Sequence, residues 1–267
     1  PAMIEAGGIG SFNPKEIGPA PMHAKNGLLD ILAEDDTAAI KATRDVLSYF
    51  QGDLPNWDAA DQRLLRHAIP ENRKRSYLIR PVIEGLADTG SFLELGAQHA
   101  AGMITGFVRV EGRAMGVIAN NPQHLGGALD AAASAKGARF LTLCTQFNMP
   151  VLSLCDTPGF MVGPESEEQG AVAAACDLIS AGANLTAPMF FVCLRKGYGI
   201  GAQAMAAGSL SEPTFSLAWP TGEFGPMGLE GAVQLGYRKE LEAETDPTAR
   251  EALYDRLVGE LYERGGA

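Results

Sequence analysis

Apolar runs, glycine-bearing loops and alanine-rich stretches alternate along most of this chain. Residues 106–120 hold two apolar runs that turn at Glu111-Gly112, which predicts a β-hairpin, and an alanine-rich helix is predicted after the pair Gly126-Gly127. The pattern of strand, loop and helix then recurs over residues 149–183, 187–209 and 213–241. This repetition predicts an α/β layered fold whose loops open at one edge of a sheet, where ligands usually bind.

The segments outside these repeats lead to simpler predictions. Residues 1–30 are rich in glycine and proline and predict a loop followed by a short strand at its apolar end. Acidic residues open the stretch 34–51 and apolar residues recur along it, which predicts a capped amphipathic helix. Residues 52–62 have the composition of a linker, and a domain boundary is predicted between about residues 51 and 71. Residues 246–263 predict a polar amphipathic helix.

Composition narrows the classes of partner. The chain has 267 residues, 46% of them hydrophobic, which is enough for a sizeable buried core. A net charge of -11 argues against a general nucleic-acid or membrane surface, because clustered Lys and Arg hold such partners. No apolar run approaches the ~20 residues that span a bilayer. The chain opens with Pro1 instead of Met, which suggests a processed product or a piece of something longer.

The cysteines indicate a reducing environment. All four lie within or beside apolar segments, and none has the paired spacing of a zinc site. They are Cys144, Cys155, Cys176 and Cys193. We expect four core thiols in a cytoplasmic protein, and no metal site.

One dense run of cations interrupts the acidic chain. It comprises Arg73, Lys74, Arg75 and Arg80. Such a run is typical of a solvated helix face, and it is also what a phosphate-bearing ligand such as a nucleotide or coenzyme A needs. Both interpretations stay open at this point.

The glycine-rich stretch CLRKGYGIGAQAMAAGS, residues 193–209, fits a dinucleotide cradle, a phosphate loop or an oxyanion hole. Gly197, Gly199 and Ala202 match a dinucleotide fingerprint, but no acidic residue closes the next apolar run. The chain contains neither a G-x-x-x-x-G-K-[ST] phosphate loop nor a G-x-S-x-G nucleophile elbow. Of the four histidines only His124 lies in a loop suited to chemistry, and its context favours a structural polar role.

A site made of backbone amides is compatible with these absences. The glycines at Gly126-Gly127 and at Gly199 to Gly201 each precede a predicted helix, where free N–H groups favour a developing negative oxygen. Glycine permits close approach of a ligand carbonyl to such amides. Each loop taken singly is also explained by a tight turn, but several at one sheet edge favour a site.

Four long motifs follow one another along the chain: IPENRKRSYLIRPVIEGLADTGSFLEL, GFVRVEGRAMGVIANNP, KGARFLTLCTQFNMPVLSLCDTPGFMVGPESEEQG and WPTGEFGPMGLEGAV. Together they resemble the carboxyltransferase component of biotin-dependent acyl-CoA carboxylases, the group that contains acetyl-, propionyl- and methylcrotonyl-CoA carboxylases. The resemblance extends over residues 1–240. It implies a crotonase-like (ClpP/crotonase) α/β fold, built from ββα units in a spiral.

The resemblance also implies a division of labour. In that family an N-terminal domain grips acyl-CoA, a C-terminal domain receives carboxybiotin, and the active site lies between domains of two subunits. Residues 1–60 then look like the end of the first domain plus a linker, and residues 61–267 like a complete second domain. The implied partners are an acyl-CoA-binding carboxyltransferase half or subunit, biotin carboxyl carrier protein and biotin carboxylase, in a homo- or hetero-oligomer. The chain is then a split subunit, a fragment or a short form.

The family's biotin-side loop, commonly R-K-A-Y-G-G-A-Y, falls on Arg195 to Ala202 without a gap. The resemblance implies that Gly199, Ile200 and Gly201 carry catalysis, with amides polarising the ureido carbonyl of biotin. In the implied reaction carboxybiotin loses CO2, the biotin enolate takes the α-proton of the acyl-CoA, and the thioester enolate attacks CO2. Ile200 stands where the family usually has Gly, and Gly201 where it usually has Ala.

The walls of the biotin pocket are implied by the loops DTPGFMVG and NNPQHLGG. The binding residues that the resemblance suggests are Gly126, Gly127, Phe160, Met161, Gly163, Tyr198 and Ala202. Phe160 and Met161 are apolar enough to pack against a bicyclic ring, and equally suited to an ordinary core. Within the family motif, the cations from Arg73 to Arg75 are expected to form structural or interfacial salt bridges rather than to bind coenzyme A.

Other functions stay open beside carboxyl transfer. A crotonase-type hydratase or isomerase would need paired Glu or Asp side chains over its substrate, and the loops show no obvious pair. A related decarboxylase is a closer variant. A non-catalytic subunit that keeps the fold for assembly is the third possibility.

Overall fold

The computed structural model describes residues 1–265 of the chain. Its strands are β1 (Leu93–Leu95), β2 (Met103–Val110), β3 (Arg113–Asn120), β4 (Val151–Thr157), β5 (Met189–Tyr198), β6 (Phe215–Ala218) and β7 (Glu223–Gly225). Its α-helices are α1 (Ala2–Ala6), α2 (Ala20–Lys25), α3 (Asp36–Ser48), α4 (Arg80–Leu86), α5 (Ala131–Gln146), α6 (Pro164–Glu168), α7 (Ala171–Ala183), α8 (Gly199–Met205), α9 (Leu229–Gly236), α10 (Arg238–Ala243) and α11 (Pro247–Gly265). Short 3₁₀ turns cover Pro14–Glu16, Gln62–His67 and Leu125–Gly127.

All seven strands belong to one sheet. Its order is β1-β2-β3-β4-β5-β6, antiparallel from β1 to β3 and parallel from β3 to β6, and β7 pairs with the end of β5. The predicted hairpin is confirmed, because Glu111 and Gly112 have φ of 52° and 80°, as a two-residue type I′ turn requires. The loops that follow the parallel strands therefore gather at one edge of the sheet.

The predicted helices form, and local capping explains where two of them begin. The Asp35 carboxylate accepts the Ala38 amide at 2.7 Å before α3, and the Asp130 carboxylate accepts the Ala133 amide at 2.7 Å before α5. The C-terminal amphipathic stretch forms α11. None of the helices in residues 1–265 has the length and apolar character needed to cross a membrane.

A core lies on each face of the sheet. On one face α5 and α7 pack against the strands, and the buried side chains there include Phe107, Phe140, Leu141, Leu178 and Phe191. On the other face α4 packs against the strands, and the buried side chains include Ile79, Val82, Ile83, Ile104, Val117, Leu154 and Leu194. Both faces of the central strands are thus dry, which explains why those strands are almost continuously apolar.

The strand predicted near residue 28 is wrong. Helix α2 occupies residues 20–25, and the amides of Leu28 and Leu29 both donate to the His23 carbonyl, at 3.0 and 3.1 Å. Gly27, with φ of 83°, turns the chain back over the end of the helix. Because these amides close the helix, they are not available for a sheet.

Helix α3 packs onto the sheet through its C-terminal end. Tyr49 is buried against Phe107, with ring centroids 5.3 Å apart. Arg109 donates to the Ser48 carbonyl at 2.7 Å and to the Gly52 carbonyl at 3.2 Å. These contacts join the first 50 residues to the sheet, and the division of the chain at residue 60 stays a prediction.

The cation run does not form a helix face. Residues 73–75 precede α4, and Arg73 pairs with Glu223 at 2.7 Å while Arg80 pairs with Glu94 at 2.6 Å. The salt-bridge interpretation is therefore confirmed for Arg73, while the pair of Arg80 with Glu94 was not predicted, and the solvated helix face is wrong.

Three of the four cysteines are buried, as predicted. They are Cys144, Cys155 and Cys193. Cys176 is exposed, which corrects the prediction of four core thiols. It lies two residues before the buried Leu178 on α7, and positions two apart point to different sides of a helix.

Candidate functional site

A sharp turn at the loop edge of the sheet joins β5 to α8. Gly199 has φ of 58°, so the chain passes directly from the strand into the helix, and Gly199, Ile200 and Gly201 form the first helical turn. The sequence predicted a loop before the helix, whereas these residues lie inside it. Their amides have no carbonyl one turn earlier to which to donate, and no side chain of the described chain caps this end.

The segment after β4 packs against that first turn. A Cβ on Gly201 would lie 2.7 Å from the Gly159 Cα, so the two backbones touch. The Leu129 amide donates to the Gly159 carbonyl at 3.0 Å, and the Met161 amide donates to the Leu129 carbonyl at 2.9 Å. The segment from Gly159 to Met161 is therefore held between α8 and the segment that follows β3.

The glycine pair after β3 completes this edge. Gly126 and Gly127 have φ of 63° and 91°, conformations that favour glycine. A Cβ on Gly127 would lie 2.1 Å from the Asp156 carbonyl oxygen, so this turn sits directly on the end of β4. The structure thus brings together three of the segments that the sequence singled out.

Apolar side chains surround the glycines. Phe160 and Met161 are partly buried, whereas Leu125, Val162 and Ile200 are 50%, 83% and 61% exposed. An exposed apolar edge of this kind, beside free amides, suits a small ring with a polar carbonyl.

Three of the predicted binding residues offer no side chain to this edge. Ala202 is buried, and Gly163 is a backbone turn with φ of 111°. Tyr198 is fully buried and its hydroxyl donates to Glu223, which also pairs with Arg73. Burial, followed by the hydrogen bond and the charge of Glu223, raises the pKa of Tyr198 well above its usual value.

Beneath the glycines lies a buried ion pair that the sequence analysis did not single out. Arg195 Nη2 is 3.0 Å from Asp156 Oδ2, and both side chains are buried. The guanidinium also donates to the Arg75 carbonyl at 2.7 Å and stacks 5.1 Å from the centre of the Tyr77 ring. Asp156 lies near the end of β4 in the motif CDTPGF, and a carboxylate at the end of a parallel strand is the signal that could have identified it.

Two polar groups around this pair are left without partners. Within residues 1–265, neither the Tyr77 hydroxyl nor the Asn120 Nδ2 has a hydrogen-bond partner, although both atoms are buried. Asn120 Oδ1 accepts the Asp156 amide at 3.1 Å. Burial, followed by the charge of Asp156, raises the pKa of Tyr77 far above its usual value. The environment below the glycines is therefore dry and polar.

Lys196 is a second residue that the sequence analysis missed. Its ammonium donates to the Gly126 carbonyl and lies 3.6 Å from Asp156 Oδ1. Burial lowers the pKa of Lys196, and the Arg195 charge acts in the same direction, while Asp156 opposes both. His124, in contrast, has the structural polar role predicted for it, because its Nε2 lies 3.0 Å from Asp130 Oδ2.

Comparison with known protein families decides what this chain is related to. Residues 5–262 match the model of the carboxyl transferase domain. The chain belongs to that family. This carboxyl transferase chain spans about half the length of the curated relatives it matches, 47% and 49% for two of them.

Two relatives match this carboxyl transferase chain over most of its length. The biotin-dependent acetyl-/propionyl-coenzyme A carboxylase beta6 subunit of Mycobacterium bovis is 36% identical over 253 residues, which are 92% of this chain and 52% of that protein. The solved structure of a single-chain, multi-domain long-chain acyl-CoA carboxylase is 50% identical, with a TM-score of 0.93 over 100% of this chain and 26% of that one.

A third relative confirms the fold of this carboxyl transferase chain. The transcarboxylase 12S hexamer, solved with methylmalonyl-coenzyme A bound, is 32% identical with a TM-score of 0.86, over 100% of this chain and 52% of that one. The predicted crotonase-like α/β fold is therefore confirmed.

Proposed function

We propose that this chain is the biotin-side part of an acyl-CoA carboxyltransferase, which moves a carboxyl group from carboxybiotin on a carrier protein to the α-carbon of an acyl-CoA. The observation that carries the proposal is the family match over residues 5–262. It includes the glycine turns at residues 126–127 and 199–201, which lie at one edge of the sheet. The M. bovis relative is a biotin-dependent carboxylase subunit, which supports the same assignment.

The residues at this edge fit a biotin ring. The contact between Gly201 and Gly159 leaves no room for a Cβ there, and Phe160, Met161 and Ile200 supply partly or largely exposed apolar surface. We assign the ring-binding role to Phe160, Met161 and the Gly126-Gly127 turn. When bound, the biotin ring carries the carboxyl group and accepts negative charge on its ureido oxygen as that group leaves.

The chain's own contribution is to hold that negative oxygen. The amides of Ile200 and Gly201 are assigned as its donors, because they lie in the uncapped first turn of α8. A preorganised donor of this kind is worth about 3–4 kcal/mol to a developing oxyanion. Ile200 replaces the glycine usual in the family, but a donor amide needs only its backbone, and the Ile200 side chain is 61% exposed.

Carboxyl transfer needs components beyond this chain. We propose an acyl-CoA-binding carboxyltransferase half, a biotin carboxyl carrier protein and a biotin carboxylase as partners, in an oligomer. The transcarboxylase relative forms a hexamer, which supports an oligomeric arrangement. The cytoplasmic location expected from the cysteines stays a prediction.

The geometry gives less support to a hydratase or isomerase. Such an enzyme needs two available carboxylates, whereas Asp156 at this edge is fully buried in its ion pair with Arg195. Asp130 caps α5 and pairs with His124.

Carboxyl transfer can be measured directly. The chain is combined with the acyl-CoA-binding half, carboxylated biotin carrier protein labelled with ¹⁴C, and acetyl-, propionyl- or long-chain acyl-CoA. We expect acid-stable label in the acyl-CoA only when all components are present. If the chain binds the carrier but no acyl-CoA is carboxylated, the proposed activity is overturned. The chain is then a non-catalytic subunit that serves assembly.

A further inference from the structure

The Lys196 side chain links the ends of three neighbouring strands. It starts on β5, passes the end of β4 at Asp156, and donates to the Gly126 carbonyl in the turn that follows β3. Its side chain is only 18% exposed. The ammonium therefore lies within the same edge as the glycine turns.

Two cations share one carboxylate at this place. Asp156 is paired with Arg195 at 3.0 Å and lies 3.6 Å from the Lys196 ammonium. Of the other charges that act on Lys196, Glu223 on β7 is paired with Arg73 at 2.7 Å, and Arg73 is shared with Glu230 at 2.5 Å. Around Asp156 itself, positive charge therefore exceeds negative charge by one.

We propose that the Lys196 ammonium binds an anionic oxygen of the biotin-side ligand. Asp156 and the Gly126 carbonyl hold this ammonium in position. The inference rests on the proposed function and names the chemistry of that site: a carboxylate or enolate oxygen. An ammonium group has three N–H donors, so the bond to Gly126 leaves others for a ligand. In a partly buried site the attraction is stronger than in water.

The lowered pKa of Lys196 is consistent with this role. Burial disfavours the charged form of the amine, and a bound anion favours it, so ligand binding raises this pKa again. The charged groups that face Lys196 are Asp156 on β4, Arg195 on its own strand and Glu223 on β7.

A charge-conserving substitution separates the proposed role from a merely structural one. In the carboxyl-transfer assay we expect Lys196→Met to lower kcat by ~100-fold, the size of loss typical of a missing oxyanion partner, with KM for acyl-CoA unchanged. Lys196→Arg keeps the charge and should stay within about tenfold of the unaltered chain. Lys239→Met, at an exposed position of α10, is the matched control and should have no effect.

The dependence of the transfer rate on pH distinguishes the proposed role from a purely structural one. With Lys196 the rate should decline as the pH rises through its pKa, and this decline should vanish in Lys196→Arg, because arginine stays charged. A neutral amine still donates to the Gly126 carbonyl, so a purely structural Lys196 gives the same profile in both proteins. Identical profiles, or an unchanged rate in Lys196→Met, would overturn the inference and leave the proposed function intact.

A second measurement needs no turnover. Bicarbonate is titrated into the ¹⁵N-labelled chain, and the amide shifts of Gly126 and Gly201 are followed for the unaltered protein and for Lys196→Met and Lys196→Arg. We expect saturable shifts that Lys196→Met loses and Lys196→Arg retains. If these shifts appear while no acyl-CoA is carboxylated, the inference stands and the proposed function fails. Shifts that are absent from the unaltered chain, or unchanged in Lys196→Met, overturn the inference.

Discussion

Arg195 and Asp156 form an ion pair that is withdrawn from solvent, with Arg195 Nε 3.1 Å and Nη2 3.0 Å from Asp156 Oδ2. The other carboxylate oxygen accepts the Lys196 amide at 3.2 Å. The pair thus ties the end of β5 to the end of β4 directly beneath the glycine turns. Because both side chains are buried, each depends on the other for compensation of its charge.

Removing one partner of this pair should destabilise the protein strongly. We expect Asp156→Asn to lower the free energy of unfolding by about 3–5 kcal/mol, because Arg195 is left buried without its counter-charge. Urea denaturation followed by circular dichroism measures the loss. The exposed pair of Arg63 and Asp61, 2.7 Å apart, provides the control: Asp61→Asn should lower the free energy of unfolding far less, because solvent screens this pair. Equal losses in the two variants would contradict this account.

Ile200 allows the donor amide to be removed with little change to the fold. Ile200→Pro deletes an N–H that has no intrahelical partner, and proline is tolerated in the first turn of a helix. We expect carboxyl transfer to fall by ~100–1,000-fold, as for the loss of an oxyanion donor, with a nearly unchanged melting temperature.

Ile200→Ala is the matched control for the proline variant. It keeps the amide and should retain transfer within about threefold, because the Ile200 side chain is largely exposed. If the proline variant is as active as the alanine variant, the Ile200 amide does not act as a donor.

Gly201 is constrained by packing. A Cβ there would lie 2.7 Å from the Gly159 Cα and 2.9 Å from its carbonyl carbon, so Gly201→Ala must displace the segment that carries Phe160. We expect the free energy of unfolding to fall by about 1–3 kcal/mol, as for overpacking of a dense interior, and transfer to fall with it. Thermal denaturation and the transfer assay are measured together.

Gly231→Ala on α9 provides the comparison for Gly201. Its Cβ would have an ordinary contact, 3.7 Å from the Met227 sulfur, in a helix where alanine is favoured. This variant should be neutral or stabilised by up to about 1 kcal/mol. A Gly201→Ala protein as stable as the Gly231→Ala protein would show that the two backbones do not touch as described.

Lys136 should make stability depend on pH in the alkaline range. Its ammonium donates to the Gly96 and His99 carbonyls at 2.8 and 2.9 Å, and burial lowers its pKa from 10.5 to about 8. Between these two values the unfolded chain binds more protons than the folded chain, so stability rises with pH across this window.

The effect of Lys136 is obtained by comparing the stability of the unaltered chain with that of Lys136→Gln at each pH. From pH 7 to pH 10.5, the unaltered chain should gain about 3 kcal/mol relative to Lys136→Gln, whose side chain does not titrate. Urea denaturation at each pH gives both curves. Parallel curves would indicate that the amine has an ordinary pKa in the folded protein.

The local sequence predicted most of the helices and strands. It failed where backbone amides donate to acceptors other than the expected ones. The hairpin at Glu111-Gly112 and the helix after Asp35 rest on turn and capping chemistry within a few residues, so their signals are readable in the chain. The strand expected near Leu28 failed because the amide of that residue closes α2 instead. An apolar run alone does not show which acceptor its amides find.

The candidate site was predicted in part. The glycines at residues 126–127 and 199–201 stand out by residue type, and the structure brings their turns to one sheet edge. Tyr198 stands beside them in the sequence, yet it is buried against Glu223. Asp156 carried only the weaker signal of a carboxylate at the end of a parallel strand, and Lys196 carried none, because lysine is a common residue type.

By itself the sequence determined the alternation of strands, loops and helices, the positions where only glycine suits the backbone, and the family. These features depend on local conformation and on long motifs, both of which are present in the linear chain. Only the tertiary structure decided that Arg195 meets Asp156 and that Lys196 meets Gly126, pairs separated by 39 and 70 residues. Burial sets the strength of those pairs, and burial exists only once the sheet has brought the strand ends together.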